Sequence, residues 1–219
     1  MEETPGDSRL REASSVVVAR DVPDGIEILV LERAASSRFL PGYVAFPGGA
    51  TDVRDVELAG RWFGSASERA RACAVRELSE EVGLALTAEG IVAVDGDACS
   101  LLASSPPTSE QLPLLAHWIA PERVPVRFDA RYFAVRGGNV APTPDGTETA
   151  GAWWIEPERL LRAWELGERR LYWPTYFTVR AISGCRTVDE LLALRIETRE
   201  PDDDELERHP RSTFWQDRA

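Results

Sequence analysis

Short apolar runs alternate with turn-forming residues along this chain, and their periodicity predicts both strands and helices. Two runs rich in β-branched residues, 14–20 and 26–32, flank a turn cluster and are typical of adjacent strands. Further strands are predicted at 90–94, 115–120 and 128–135, and helices at 66–82, at 98–115 with an interruption, and at 157–168, 174–182 and 187–198. The chain is therefore expected to combine strands and helices.

The helix at 66–82 is the clearest of these elements. It contains no proline or glycine and many strong helix formers, and Gly83 then supplies the left-handed cap that ends a helix. Near its end, Glu77, Glu80 and Glu81 stand at positions i, i+3 and i+4 and share one face. The spacing therefore predicts three carboxylates converging on one spot.

This acidic cluster lies at the carbonyl end of the helix, where the macrodipole disfavours negative charge and where like charges at this spacing repel. The same face carries the small side chains of Ala70, Cys73 and Ala74, which indicates packing against the protein. A bound cation would relieve the repulsion, and ligation by oxygen alone favours Mg²⁺ or Mn²⁺. The alternative is a solvated acidic helix end, since charge runs are often surface features.

The wider spacing favours the metal site. The sequence Arg-Glu-Leu-Ser-Glu-Glu-Val-Gly-Leu at 76–84, with Glu68 eight positions before Arg76, resembles the Nudix box, whose pattern is Gly, five residues, Glu, seven residues, Arg-Glu-apolar-x-Glu-Glu-x-Gly-apolar. The resemblance implies that Glu68 and Arg76 form an ion pair that orients the metal ligands. Those ligands would be Glu77, Glu80 and Glu81.

The leading glycine of the box departs from this pattern. Trp62 stands six positions before Glu68, whereas the glycine pair Gly48 and Gly49 lies further upstream, with an apparent insertion at 51–65. Backbone amides of such a glycine loop are free to meet an anionic oxygen, and the resemblance places Gly49 at the metal. A simple turn is the alternative for an isolated Pro-Gly-Gly stretch.

A second resemblance precedes the box. Arg33, Arg38, Gly42 and the run Phe-Pro-Gly-Gly at 46–49 have spacings similar to those of the coenzyme A diphosphatase branch of Nudix hydrolases, although Ala34 stands where that branch has Ser. The two arginines, with Gly48 and Gly49, are accordingly expected to bind substrate, because guanidinium groups bind phosphates through paired hydrogen bonds. Pairing with surface carboxylates is the alternative for each arginine.

Later segments of the chain also resemble Nudix enzymes. Residues 117–121, 127–133 and 171–177 resemble the peroxisomal acyl-CoA diphosphatase type. Many Nudix enzymes supply a further carboxylate from a loop before a strand carrying Trp, and Glu148 matches that place. Glu156 is the next candidate, but it directly precedes Pro157 and is expected to cap a helix. The general base is left open between Glu148 and Glu80.

Together these resemblances cover about residues 14–183 and imply an α/β Nudix fold with a mixed β-sheet between helices. We expect a flexible terminus at 1–13, a Nudix domain at 14–199 and an acidic tail at 200–219, whose Phe214 and Trp215 are candidates for docking on a second subunit in a homodimer. The implied reaction is metal-dependent cleavage of coenzyme A or acyl-CoA to 3′,5′-ADP and the 4′-phosphopantetheine product. The alternatives are another nucleoside diphosphate derivative, such as ADP-ribose or NADH, and a non-catalytic ligand sensor.

Composition and charge indicate which binding partners and which cell compartment fit this activity. The formal charge of −12 argues against non-specific nucleic-acid binding, because no dense basic face is available to displace counterions. It does not exclude an anionic small molecule, since a divalent cation reverses the local charge. The sequence shows no membrane span or signal peptide, and its 3 scattered cysteines favour free thiols, so a cytoplasmic location is expected.

Overall fold

The computed structural model describes residues 10–94, 98–120 and 127–199. The described strands are β1 (Arg11–Val22), β2 (Gly25–Arg33), β3 (Tyr43–Ala45), β4 (Gly48–Ala50), β5 (Leu84–Thr87), β6 (Gly90–Ala93), β7 (Leu114–Ile119), β8 (Phe128–Arg136), β9 (Thr149–Ile155) and β10 (Arg170–Leu171). The helices are α1 (Arg54–Phe63), α2 (Arg69–Val82), α3 (Ala98–Ser104), α4 (Pro157–Glu165), α5 (Trp173–Ile182) and α6 (Val188–Ala193). No helix in these ranges is long and apolar enough to cross a membrane.

A mixed sheet forms the centre of the molecule. Its strand order is β10-β3-β2-β1-β8-β7, with β4 also pairing with β1 and β9 also pairing with β2. The β1–β8 and β10–β3 pairs are parallel, and the other pairs in the sheet are antiparallel. Strands β5 and β6 form a separate hairpin after α2.

Both faces of the sheet are covered by helices. In β1, Val16 and Val18 pack on one face and Val17 and Ala19 on the other, because successive side chains of a strand point in opposite directions. The first face is covered by α1, α2 and α3, and the second by α4, α5 and α6. The predicted architecture, a mixed sheet between helices, is confirmed.

The ends of the chain differ in part from the prediction. Strand β1 begins at Arg11, so residues 11–13 belong to the sheet and not to a flexible terminus. They are held there by parallel pairing with β8. Residues 1–9 and the acidic tail at 200–219 lie outside the described ranges, as do 95–97 and 121–126, so the domain boundaries stay a prediction.

The last predicted helix, 187–198, is too long. Helix α6 ends at Ala193, and the following residues run along the edge of β7. The amide of Ile196 donates to the carbonyl of Leu115 at 2.8 Å, and the Thr198 hydroxyl donates to the carbonyl of His117 at 2.6 Å. An edge strand needs such partners for its free backbone groups, and this need overrides helical periodicity.

Candidate active site

The glycine pair is part of a strand and not of a turn. Gly48–Ala50 forms β4, which pairs antiparallel with Ala13, Ser14 and Ser15 of β1. Glycine has a low strand propensity, so the sequence pattern of this short segment did not indicate pairing with residues more than thirty positions away. The pairing fixes the glycines against the C-terminal half of α2, which packs on β4.

Glu81 is the buried carboxylate of this contact. The Gly48 amide donates to its Oε2 at 2.8 Å, and Glu81 is only 5 % exposed. Burial raises the pKa of Glu81 to about 8, with a smaller contribution from the charge of Glu77, while the Gly48 hydrogen bond and the charge of Arg33 act in the opposite direction. The Gly48 amide, expected to be free for an anionic oxygen of a ligand, is thus occupied by a carboxylate of this chain.

Glu77 occupies the space that Gly49 leaves open. A Cβ at Gly49 would lie 2.4 Å from Oε1 of Glu77, far inside van der Waals contact. Burial raises the pKa of Glu77, although the neighbouring Arg76 guanidinium acts in the opposite direction. A glycine is therefore required at 49 for this carboxylate to lie against the strand.

Glu80 does not join Glu77 and Glu81 in the way its spacing predicts. Its side chain is 45 % exposed and lies 3.2 Å from Arg54 and 2.8 Å from Arg76. Two arginines thus hold Glu80 on the side of α2 that faces α1. Within the part of the chain that the structure describes, no three Asp, Glu, His or Cys side chains are grouped closely enough to hold a metal ion. The predicted convergence of all three carboxylates is therefore wrong for this structure.

Arg76 makes polar contacts that connect α1, α2 and the glycine strand β4. Its Nε and Nη2 donate to the two carboxylate oxygens of Asp55 at 2.7 and 3.0 Å. Its Nη1 donates to Glu77 at 2.7 Å and to Glu80 at 2.8 Å. Burial by itself lowers the pKa of Arg76, but the hydrogen bonds to Asp55 and the charge of Glu77 outweigh it and raise the pKa above its ordinary value.

The predicted ion pair between Glu68 and Arg76 is wrong. Glu68 ends a short 3₁₀ turn before α2, and its carboxylate accepts a hydrogen bond from Arg71. The Arg71 guanidinium also donates to the carbonyl of Leu112 at 2.9 Å, on the side of α2 away from the glycine strand. Asp55, from the inserted segment, takes the place that the box assigns to Glu68.

An open cavity of about 300 Å³ adjoins the carboxylates of Glu77 and Glu81. Its lining brings together the predicted residues Arg33, Gly48, Gly49, Arg76, Glu77, Glu81 and Glu148, along with Ala50, Asp52 and Arg54. Glu80 and Glu68 are not part of it. Arg38 is exposed and lines neither this cavity nor the adjacent one, so its role in substrate binding stays a prediction.

Glu148 reaches the cavity from the loop before β9. Its amide donates to the carboxylate of Asp145 at 3.1 Å, and its carbonyl accepts from the Ala34 amide at 2.8 Å. These contacts tie the loop to the end of β2, next to Arg33. Glu156 occupies the N-cap position of α4 as expected, but its side chain makes no capping hydrogen bond.

A second cavity, of about 230 Å³, opens beside the acidic one. The two share Arg33, Gly48, Gly49 and Ala50, so one ligand can enter both. The wall of the second cavity is mostly apolar and aromatic, with Phe39, Tyr43, Phe46, Phe128, Tyr132 and Tyr172. The acidic cavity thus continues into a region suited to an organic ring or chain.

The donor set of the acidic cavity fits a hard divalent cation. The buried Glu81 and the partly buried Glu77 line one cavity, and both have raised pKa values because burial disfavours their charged forms. A divalent cation beside them would favour their charged forms, and carboxylate oxygens are the ligands that Mg²⁺ and Mn²⁺ prefer. The identity of the ligands stays a prediction, with Glu77 and Glu81 the best placed.

Sequence reasoning missed Asp55 and the aromatic wall. A signal for Asp55 was present, because Asp55, Leu58, Ala59 and Trp62 are spaced as one face of a helix and a carboxylate within an apolar face requires a buried partner. The aromatic wall had no such signal. Phe39 and Tyr172 are far apart in the chain, and their rings meet 5.9 Å apart only through the folding of the sheet.

Comparisons with known proteins agree with this architecture. The model of the NUDIX domain family matches residues 9–173. A crystal structure of a NUDIX hydrolase from Alicyclobacillus acidocaldarius is similar with a TM-score of 0.75 and 29 % identity, over 87 % of this chain and 99 % of that one.

Two further relatives are more distant. A curated protein of Caenorhabditis elegans, putative nudix hydrolase 7, is 28 % identical over 83 % of this chain, and the chain spans 63 % of that protein's length. The NUDIX domain of Shewanella oneidensis NrtR, solved in complex with ADP ribose, has a TM-score of 0.51 at 12 % identity, over 79 % of this chain and 88 % of that one, which indicates a shared fold.

Proposed function

Because the chain belongs to the Nudix family, we propose that it is a divalent-metal-dependent hydrolase that cleaves the diphosphate of a nucleoside diphosphate derivative. The observation that carries this proposal is the contact between Glu77, Glu81 and the glycine strand. The buried Glu81 and the partly buried Glu77, both with raised pKa values, lie beside an open cavity that Arg33 also lines. Two neighbouring carboxylates shielded from water do not stabilise the fold by themselves, so binding of a cation is the simplest explanation for their position.

The residues of the cavity suit hydrolysis of a phosphoanhydride. Glu77 and Glu81 would hold the cation, which would neutralise the diphosphate and lower the pKa of a water molecule. Arg33, on the border between the two cavities, supplies positive charge to the phosphate oxygens. The water attacks phosphorus and a carboxylate accepts its proton, so the anhydride bond breaks without a covalent intermediate.

Glu148 is the better placed of the two candidate bases. The Glu80 carboxylate is engaged by Arg54 and Arg76 and faces α1. Glu148 lines the acidic cavity directly, next to Arg33. We therefore assign the proton-accepting role to Glu148, and its replacement by Gln is expected to lower kcat more than KM.

Within this class we propose coenzyme A or acyl-CoA as the substrate. Support comes from the segment from Arg33 to Gly49, which has the spacing of the coenzyme A diphosphatase branch and contributes to both cavities. Coenzyme A combines a diphosphate with a long pantetheine arm and an adenine ring. The apolar cavity beside the acidic one offers a place for one of these groups.

Product analysis tests the substrate. Purified protein with Mg²⁺ or Mn²⁺ is incubated separately with coenzyme A, an acyl-CoA, ADP-ribose, NADH and a diadenosine polyphosphate, and the products are resolved by chromatography. We expect 3′,5′-ADP and (acyl-)4′-phosphopantetheine from the first two. Cleavage of ADP-ribose or NADH with coenzyme A untouched would assign another substrate, and nucleotide binding without any metal-dependent turnover would favour a ligand sensor.

A further inference from the structure

A third cavity, of about 560 Å³, lies between α1, α2 and α3 and is called the α1 cavity below. Its lining includes Leu58 and Trp62 of α1, Glu80 of α2, and Cys99 and Leu102 of α3. Its volume lies within the range of about 300–1,000 Å³ that is typical of small-molecule sites. The hydrolysis proposed above makes no use of this cavity.

The α1 cavity adjoins the acidic cavity. Arg54 and Arg76 line both of them. Arg76 is buried and donates hydrogen bonds to carboxylates on both sides, whereas the side chain of Arg54 is 54 % exposed. Arg54 is thus the accessible side chain at the junction, and a ligand bound beside Glu77 and Glu81 can extend past it into the α1 cavity.

Two arginines at the α1 cavity are paired only with exposed carboxylates. Arg61 pairs with Glu57 at 2.6 Å, and these side chains are 63 % and 67 % exposed. Arg54 lies 3.2 Å from Glu80, and these side chains are 54 % and 45 % exposed. Ion pairs this exposed contribute little to stability, whereas a phosphate offers a guanidinium paired, charge-assisted hydrogen bonds. Exchanging the carboxylates for phosphates therefore costs little.

The positions of these arginines suit a ligand with two phosphates. Arg54 and Arg61 stand seven positions apart on α1, so they lie on one face and about 10 Å apart along the helix axis. Between them, Leu58 and Trp62 contribute a buried apolar surface, which Leu102 of α3 completes. An apolar floor with a few charged groups at its edge is the usual lining of a site for an organic ring.

The two cavities beside the acidic one differ as the two halves of coenzyme A differ. The aromatic cavity measures about 230 Å³, has a mostly apolar wall and has Arg33 at its border. The α1 cavity is larger and has Arg54 and Arg61 in its lining. The pantetheine half is uncharged, whereas the adenosine half carries a 3′-phosphate. The adenosine half therefore matches the α1 cavity better.

We propose that the α1 cavity binds the phosphorylated nucleoside half of the substrate, with Arg54 on the 5′-phosphate at the junction and Arg61 on the 3′-phosphate. This inference rests on the proposed function. It gives the insertion at 51–65 a function, because the insertion supplies both arginines. The class of ligand is a nucleoside with phosphates at its 3′ and 5′ positions.

Calorimetric titration with 3′,5′-ADP and with 5′-AMP tests the proposal without turnover. In the presence of Mg²⁺, the wild type is expected to bind 3′,5′-ADP about 10-fold more tightly, because the second phosphate accepts charge-assisted hydrogen bonds from Arg61. Arg61→Gln should lose this difference and keep its affinity for 5′-AMP, whereas Arg54→Gln should bind both nucleotides more weakly. Equal affinities in the wild type, or a difference retained in Arg61→Gln, overturns the proposal.

A matched control lies on the other face of the sheet. Arg159 is exposed on α4 and is not in the lining of the α1 cavity or of the acidic cavity. Arg159→Gln removes the same charge as Arg61→Gln, and its affinities for both nucleotides are expected to match those of the wild type. An equal loss in the two variants would attribute the effect to net charge and overturn the assignment to Arg61.

Cys99 provides a chemical marker of the α1 cavity in the wild-type protein. It lines the cavity and is exposed, whereas Cys73 is buried and Cys185 follows α5 on the other side of the sheet. Alkylation by iodoacetamide is followed by mass spectrometry for each cysteine. Saturating 3′,5′-ADP should slow the modification of Cys99 and leave that of Cys185 unchanged. An unchanged rate at Cys99 would place the nucleotide elsewhere and overturn the proposal.

Inhibition kinetics separate this proposal from the proposed function. If the α1 cavity holds half of the substrate, 3′,5′-ADP competes with coenzyme A in the cleavage assay. Inhibition without competition would identify a separate effector site and overturn the assignment to substrate. The absence of cleavage across the substrate panel would overturn the enzymatic function, and the nucleotide affinities and the protection of Cys99 would still decide whether the cavity binds such a nucleotide.

Discussion

Two of the arginine–carboxylate pairs of helix α2 differ in their surroundings. Near its start, Arg71 pairs with Glu68 and both side chains are 23 % exposed. Near its end, Arg76 pairs with Asp55, and the two are 5 % and 0 % exposed. Breaking a buried pair leaves one charge stranded and costs about 3–5 kcal/mol, whereas a solvent-accessible pair contributes about 1 kcal/mol or less.

The comparison teaches that burial distinguishes the pair that organises the site. Glu68 has the box's spacing to Arg76, yet its partner is Arg71, whereas Asp55 has the box's spacing from Gly49. Asp55 belongs to an insertion, yet it holds the arginine that contacts Glu77 and Glu80. The strongest effects of mutation are therefore expected at the buried end of α2.

The largest effect is expected for Glu81→Gln. This change removes a carboxylate that the site uses while keeping an acceptor for the Gly48 amide. Since residues that only orient metal ligands cost 10- to 100-fold, loss of a ligand should lower kcat by on the order of 100-fold or more. Steady-state kinetics with Mg²⁺ and Mn²⁺ measure this loss.

The fold is expected to survive this change. Glu81 is held in a site where burial disfavours its charge, so a neutral side chain removes an unfavourable group from the metal-free protein. Thermal unfolding in the presence of a chelator should give a midpoint for Glu81→Gln no lower than that of the wild type. Wild-type turnover in this variant would instead remove Glu81 from the predicted ligands.

A smaller effect is expected for Gly49→Ala. The added Cβ would lie 2.4 Å from a Glu77 oxygen, so the end of that side chain must move while the strand pairing is retained. Mn²⁺ affinity should fall about 10-fold, as expected when a metal ligand is displaced and not removed. A titration with Mn²⁺, in which the free ion is measured by electron paramagnetic resonance, tests this.

Gly60→Ala is the matched control for this change. Gly60 lies on the exposed side of α1, and nothing lies within 4 Å of the position of a new Cβ. Since alanine is the better helix former, the variant should gain up to about 1 kcal/mol in stability and keep its Mn²⁺ affinity. Equal losses of affinity in both variants would mean that glycine flexibility, and not space beside Glu77, matters.

The parts of this site that could be predicted from sequence depend on local spacing. The helix and its cap at Gly83 follow from a contiguous pattern, and the structure contains them as α2, preceded by a 3₁₀ turn at 66–68. The family resemblance implied that the end of this helix lies against the glycine pair, and the Gly48 amide donates to Glu81 there. The cap is confirmed by the left-handed conformation of Gly83, whose amide donates to the carbonyls of Leu78 and Ser79.

The parts that could not be predicted depend on distant partners. Strand β4 exists because β1 is available to pair with it, and α6 is short because the edge of β7 takes up the following residues. Arg76 could pair with any acid that folding brings near, and the family resemblance implied Glu68. The packing of α1 on α2 brings Asp55 to Arg76 instead.

The smallest effect is expected for Glu68→Gln, and it tests the comparison most directly. Arg71 keeps its hydrogen bond to the Leu112 carbonyl and its position 5.0 Å from the centre of the Phe133 ring after Glu68 loses its charge. The free energy of unfolding should therefore fall by less than about 1 kcal/mol. Chemical denaturation of Glu68→Gln and Asp55→Asn under the same conditions measures this value for both pairs.

The Mn²⁺ affinities of the same two variants complete the test. If burial determines which pair orients the ligands, Asp55→Asn loses much more affinity than Glu68→Gln. If Glu68→Gln loses as much as Asp55→Asn, the motif acid influences the ligands through α2 itself, and the contact with Arg76 is not what positions them. Equal losses would thus assign the orienting role to Glu68, and the insertion at 51–65 would then have no function in orienting the ligands.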